Sequence, residues 1–291
     1  MCHFNRVQYH LKLQTIMLLG LVSNCWRTQL AGGAPLDGLI SEAHRRGYRA
    51  VELRQTCLGS YESGDDHLPL ADALSDLPVR FPGIRFNVAV NVPFLNPQIT
   101  PDNPVFAAGK WAAQAVAGEY PPHLRLVDMK TTGRPWAEKF EEEVATAIAR
   151  LTGSVLEIDG VLSVENSRQP WNLFREVFHA TRKQLGADAA RLCLCFDPVN
   201  LLLPDDGTDP AEVTASLLAD ELSMVHFKQR INGQIHPAVR DGDVDWAKQL
   251  ALLEQIGYRG PGLFEVESHK HVWEYLAGST EYLRRLGLSA G

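Results

Sequence analysis

The stretch Arg191–Lys228, RLCLCFDPVNLLLPDDGTDPAEVTASLLADELSMVHFK, holds one complete unit of the pattern that decides the fold. An apolar run, RLCLCFD, ends in an acid. A polar loop follows, then a segment of helical period over Pro210–Ala219, then a second apolar run, LSMVHFK, ending in a histidine and a lysine. Short apolar runs alternating with helical segments are what strand–helix–strand units on a parallel sheet require.

Six more such runs lie outside this unit: TIMLLGLVS (15–23), YRAVELR (48–54), IRFNVAVNV (84–92), HLRLVDM (123–129), GVLSVEN (160–166) and GLFEVE (262–267). Helical periods fall at Leu36–Arg46, Trp136–Leu151, Trp171–Leu185, Val244–Ile256 and Val272–Leu286. Eight strands with helices between them, in a chain of 291 residues, predict an α/β protein with a single (β/α)8 TIM barrel. No linker or shift of composition divides the chain. One domain over residues 15–291 is therefore expected behind a polar tail, residues 1–14, and the proline-rich NVPFLNPQITPDNP (91–104) reads as a long loop after the third strand.

The formal charge of -7 and a pI near 5.8 argue against a broad nucleic-acid surface, which needs clustered Lys and Arg to displace counterions from phosphate. A small polar substrate fits better. The five cysteines, Cys2, Cys25, Cys57, Cys193 and Cys195, are odd in number and lack paired metal spacing, which fits a reducing, cytoplasmic compartment rather than a disulfide framework. The run TIMLLGLVSNC is too short to span a bilayer and has no small-residue cleavage pattern before Cys25, so it reads as a buried first strand and not as an export or membrane segment.

In such barrels the loops that follow the strands build the active site. Here four successive strands end in SVENS, CFDPVN, VHFKQR and FEVES, so Glu165, Asp197, His226 and Glu265 converge on the axis. Three carboxylates and an imidazole suit one divalent ion, Mn²⁺ first, with Co²⁺, Mg²⁺ or Zn²⁺ as alternatives. Each acid alone is as well read as a strand cap or an ion-pair partner. Four together, each behind apolar residues, would be costly buried charges that a metal offsets. Side-chain alternation then places Lys228 above His226, Glu267 above Glu265 and Arg54 above Glu52. Cys193 and Cys195 fall below Asp197 as small lumen-filling residues.

These motifs resemble the xylose isomerase-like superfamily of barrels, which includes sugar epimerases, inosose dehydratases and abasic-site endonucleases. The resemblance runs from GYRAVELR to the last helix and is carried chiefly by VENS, FDPVN, VHFK, DGDVDW and GYRGPGLFEVE. It implies that Glu165, Asp197, His226 and Glu265 hold the metal, and that Glu52, Asn200, Lys228, Arg230 and His236 contact the substrate. Asn200 stands where many relatives have histidine, and Asn91 ends the third strand, so a trinuclear zinc nuclease site is not expected. His236 and Arg230 can equally be solvated loop residues. His269 and His271 match no family position and read as loop residues.

The resemblance implies an isomerase or epimerase of a sugar or cyclitol derivative. Glu165 and Glu265 would act as the acid–base pair, one removing a proton next to a metal-chelated carbonyl and the other returning one through an enediolate. Loss of a β-hydroxyl from the same intermediate would make it a dehydratase, with Lys228 or His236 supplying the proton. Relatives often form homo-oligomers through helix faces and loops.

Overall fold

The computed structural model describes residues 16–129 and 138–290. The proposed tail and the first residues of the Trp136–Leu151 helix lie outside them. Eight parallel strands close on themselves in chain order: β1 (Leu19–Val22), β2 (Ala50–Arg54), β3 (Arg85–Asn91), β4 (His123–Val127), β5 (Val161–Glu165), β6 (Leu192–Phe196), β7 (Leu222–Phe227) and β8 (Gly262–Phe264). β8 pairs with β1, which pairs with β2, so the sheet has no free edge. This is the (β/α)8 barrel that the alternating runs predict.

Helices α1 (Leu36–Arg45), α2 (Pro104–Ala115), α3 (Glu138–Leu156), α4 (Trp171–Leu185), α5 (Pro210–Ser216), α6 (Trp246–Gln255) and α7 (Val272–Arg285) cover the barrel. Each follows its strand except after β2, where two single turns, Ala71–Leu74 and Leu77–Arg80, take that place. α1 shows the logic. Leu36, Leu39, Ile40 and Ala43 recur at helical spacing and are buried, each large side chain contributing about 1.5–3 kcal/mol by leaving water.

The proline-rich stretch after β3 is a loop up to Asn103, as read, and α2, which begins at its last residue, Pro104, is the helix that the helical periods did not mark. Asn103 caps it, its side-chain oxygen accepting from Val105 N and Phe106 N, both at 3.1 Å, and Pro104 at the first helical position lacks only a donor that would be unpaired there. Its sequence, PVFAAGKWAAQA, has so many small residues that amphipathic contrast is weak. Those small residues serve close packing: a methyl on Gly109 would come to 3.0 Å from Leu124 and Val90 of the barrel wall. Gly20 is required more strictly, since a Cβ there would overlap the Ala50 carbonyl and the Leu263 side chain on the flanking strands. Among the described residues no helix is long and apolar enough to cross a membrane.

A candidate metal-dependent active site

Where many barrels fill the lumen with branched apolar residues, this one sets layers of polar side chains beside a small apolar cluster of Val22, Ala50, Cys195, Met224 and Leu263. Alternation along β4 turns His123 and Arg125 inward, and both are buried. His123 Nε2 lies 2.7 Å from Ser163 Oγ, which donates to Ser223 Oγ at 2.7 Å. Burial keeps this imidazole neutral, pushing it down to about 3.

One layer higher, Arg125 spans the barrel. Its Nε donates to Glu52 Oε2 at 3.2 Å, its Nη2 to Glu52 Oε1, and its Nη1 to Glu165 Oε2 at 2.5 Å. Asn87 Nδ2 also donates to Glu52 Oε2, at 2.7 Å. Burial alone would push Glu52 up, but the Arg125 guanidinium and the His226 imidazole outweigh it and hold the carboxyl below its usual range. Glu52 therefore has both oxygens engaged inside the barrel wall and no exposed surface. It faces Arg125, Asn87 and, at 3.7 Å, His226 Nε2, not the mouth where a substrate contact would lie.

At the top of the lumen Glu165, Asp197, His226 and Glu265 come together as the strand ends predict. One ligand atom from each lies within 4.8 Å of the others, and all four residues are buried. The imidazole is central. Its Nε2 is 3.3 Å from Cys195 Sγ, and its Nδ1, without a hydrogen-bond partner, lies 3.5 Å from Glu165 Oε1 and 3.4 Å from Glu265 Oε2. Asp197 is fixed by Val199 N and Asn200 N, which donate to its Oδ1 at 2.8 and 3.2 Å. The Asn166 amide bridges β5 and β6, bonding the peptide N and O of Asp197 at 2.9 and 2.8 Å.

Lys228 stands above His226 as alternation expects. Its Nζ donates to Asp197 Oδ2 at 3.0 Å, Glu265 Oε2 at 2.9 Å and Asn200 Oδ1 at 3.3 Å. Burial opposes the charge on Lys228, and the three carboxylates around it outweigh burial, so the ammonium persists far above neutral pH. Glu265 is held well below the usual carboxylate range, because Lys228 and His226 outweigh its burial, whereas burial leaves Asp197 raised. Asn200 Nδ2 reaches Glu165 Oε1 at 3.2 Å, joining this group to β5.

The donor set fits a divalent cation. Glu52, Glu165, Asp197 and Glu265 outnumber the two permanent cations, Arg125 and Lys228, in a region shielded from water, and without a metal the carboxylates, against burial, draw a proton onto His226, which is held well above its usual range. Such an excess is costly unless a cation or a proton balances it. All four cluster residues offer oxygen or nitrogen, as hard and borderline ions prefer, and the unpartnered Nδ1 points at the carboxylates rather than away from them.

Arg230 and His236 sit further out. The loop after β7 is a hairpin, Arg230–Ile231 against Gln234–Ile235, turned by Asn232 and Gly233 at positive φ of 52° and 80°. Arg230 donates to Asp243 Oδ2 at 2.8 Å and to the Leu202 carbonyl at 2.7 Å. His236 Nδ1 accepts from Ala238 N at 3.1 Å. Neither hydrogen-bonds the cluster. Glu267 is exposed, correcting the alternation argument, since β8 already ends at Phe264 and extended alternation does not carry past it. His269 and His271 lie with ring centroids 5.4 Å apart, tilted by 35°, in the loop before α7.

Two contributors were not read from the sequence. Arg125 announces itself only as a charge midway along an apolar strand. Asn24 follows β1 and donates to Glu265 Oε1 at 3.1 Å; nothing in VSNCW marks it.

Fold and site together define a (β/α)8 barrel with a carboxylate–imidazole cluster at the strand C-termini, and solved structures of xylose isomerase-like barrels share that fold. The IolI protein with a bound zinc atom superposes at a TM-score of 0.68 with 15% identity, covering 93% of this chain and 96% of the other. A xylose isomerase domain-containing protein from Salmonella typhimurium LT2 gives 0.64 at 18% identity, covering 92% and 97%. A D-allulose 3-epimerase from Methylomonas sp. gives 0.65 at 15% identity, covering 94% and 98%. No family model and no curated protein matches the sequence.

Proposed function

We propose that this chain is a divalent-metal-dependent sugar isomerase or epimerase that moves a proton at a carbon next to a carbonyl, with Glu165 and Glu265 as the acid–base pair. The observation that carries this reading is their placement: carboxylates from β5 and from the end of β8 both approach His226 Nδ1, at 3.5 and 3.4 Å, so they flank one small volume. Glu165, Asp197, His226 and Glu265 would hold the ion, with manganese first among the candidates, and the ion would stabilise negative charge developing on substrate oxygens. Arg125 holds Glu165 Oε2 and the Asn200 amide holds Oε1, so the carboxylate is oriented toward the cluster from both oxygens. Lys228 and Asn24 orient Glu265 from two directions. A proton taken by one glutamate can be returned by the other to the opposite face, which is what epimerisation needs.

The D-allulose 3-epimerase from Methylomonas sp. has also been solved in complex with D-allulose, which supports a sugar-sized substrate. Lys228 favours a second reading. Its ammonium, 2.9 Å from Glu265, is placed to protonate a departing hydroxyl, which would make the enzyme a dehydratase. Asn91 and Asn200 carry amides where a multi-zinc nuclease would want imidazoles, so abasic-site cleavage is not part of the proposal. The four cysteines among the described residues are free and buried, which accords with a cytoplasmic setting.

Turnover of an accepted keto-sugar in deuterated water tests the reading. Solvent deuterium should enter the carbon next to the carbonyl, and Glu165→Gln or Glu265→Gln should slow that exchange by about a hundredfold or more, with metal content measured alongside. A stereoisomer or aldose–ketose partner as product marks the isomerase, and a dicarbonyl marks the dehydratase. Turnover without any exchange refutes both.

A further inference from the structure

Five buried side-chain polar atoms among the described residues lack a hydrogen-bond partner: Asn24 Oδ1, Trp26 Nε1, Gln29 Oε1, Arg54 Nε and His226 Nδ1. The last belongs to the cluster. The other four come from the chain just after β1 and from the final residue of β2, two strands that pair with Val22 opposite Glu52. Arg54 N donates to Ser23 Oγ at 2.9 Å, which sets the Asn24 and Arg54 positions side by side at the mouth. Asn24 Nδ2 in turn bonds Glu265. Asn24 and Arg54 thus set unpaired atoms on a rim that abuts the reacting carboxylate, whereas Trp26 lies in the apolar core against Trp273.

Arg54 lies two residues beyond Glu52 on one strand, hence on the same lumenal face and one layer nearer solvent. It is half-buried, and its guanidinium has no ion-pair or hydrogen-bond partner among the described residues. The cations beside the cluster differ, for Arg125 and Lys228 each hold two carboxylates. In a chain with seven more acids than bases by formal charge, a shielded arginine that no acid approaches is a position where the counter-charge arrives with a ligand.

We propose that Arg54 receives an anionic group of the substrate, so that the site takes keto-sugar derivatives carrying a carboxylate or a phosphate in preference to neutral sugars. This rests on the metal-dependent sugar reading and names its substrate class. The guanidinium recognises in both anions the same feature, a pair of oxygens spaced to accept two parallel N–H donors. Asn24 Oδ1 accepts from a neighbouring hydroxyl of the same molecule, while the Asn24 amide keeps Glu265 aimed at the carbon to be deprotonated. A substrate held this way runs from Arg54 along the rim to the cluster, its charged end at β2 and its carbonyl end between β5 and β8.

Calorimetric titration of the manganese-loaded protein with D-fructose, D-fructose 6-phosphate and D-fructuronate tests this without needing turnover. At least one anion should bind about 10- to 100-fold more tightly than fructose, the range expected for a charge-assisted hydrogen-bonded pair. The stronger of the two anions distinguishes phosphate from carboxylate as the natural group. Arg54→Gln should shrink that margin to about threefold or less, and Arg54→Lys should restore part of it for the phosphate, which a point charge serves, and less for the carboxylate. The proposal is overturned if fructose binds as well as both anions, if none of the three binds at millimolar concentration, or if Arg54→Gln weakens all three alike or leaves the margin intact. Manganese uptake and deuterium exchange report separately on the metal-dependent proton-transfer reading, so either idea can fail alone.

Discussion

Arg125→Met keeps the length of the stem and deletes the guanidinium that serves Glu52 and Glu165 at once. Removing one partner of a buried pair costs about 3–5 kcal/mol, since the other charge stays behind without compensation. Here two carboxylates lose their cation, which puts the expected loss near the top of that range. For a domain of this size each kcal/mol lowers the melting midpoint by about 2 °C, so the midpoint should fall by about 10 °C.

The loss should also depend on pH. In the parent, Glu52 is held below its usual range, so the stability it contributes is fully present above the unfolded carboxylate pKa and is lost as pH falls through the lower, folded value. In the variant burial, the largest influence on Glu52, is opposed only by His226 and Asn87, so the carboxyl rises and its ionised form is penalised. The deficit should therefore be largest near pH 8 and shrink toward about pH 5 as the carboxyls take up protons. Thermal unfolding followed by circular dichroism, in chelator so that metal does not mask the change, measures both effects. Adding Glu52→Gln to Arg125→Met removes one of the orphaned charges and should recover part of the loss, a coupling read from the double-mutant cycle. A variant that melts within about 2 °C of the parent near pH 8, or whose deficit is the same at both pH values, would show that the guanidinium does not balance these carboxylates.

Purified protein supplied with Mn²⁺ should take up about one ion per chain by elemental analysis, and Asp197→Ala should weaken uptake by about a hundredfold or more; uptake equal to the parent's would remove Asp197 from the ligand set. Burial pushes the Cys25 and Cys195 thiols up to about 12, so near pH 8 both should resist iodoacetamide in the folded protein and react once it is denatured. Peptide mapping after a timed exposure decides this, and rapid labelling of Cys195 in the native state would contradict its place beneath His226.

The strands and the strand-end chemistry were legible in the chain because both are local. Alternation and apolar run length mark each strand, and a residue's distance from the strand end is a matter of counting, so Glu165, Asp197, His226 and Glu265 could be placed before any contact was known. Lys228 followed by the same two-residue rule. The rule stopped working at Glu267, since β8 ends three residues earlier, and it could not mark α2, whose alanines and glycine pack well and contrast poorly.

What tertiary structure alone decided is who faces whom across the lumen. Arg125 meets Glu52 at a sequence separation of 73 and Glu165 at a separation of 40, and no local pattern encodes either pairing. It arises when the barrel closes: the ladder sets Arg125 level with Ala89 and Ser163, with Glu52 two residues lower on β2 and Glu165 two residues higher on β5, and the long guanidinium arm spans from one to the other. That closure turned Glu52 from an expected substrate contact into the partner of a buried arginine, and left Arg54, one layer above it, without an acid to meet. A strand records which way its side chains point, while the electrostatics of a lumen belong to the ring that eight strands form together.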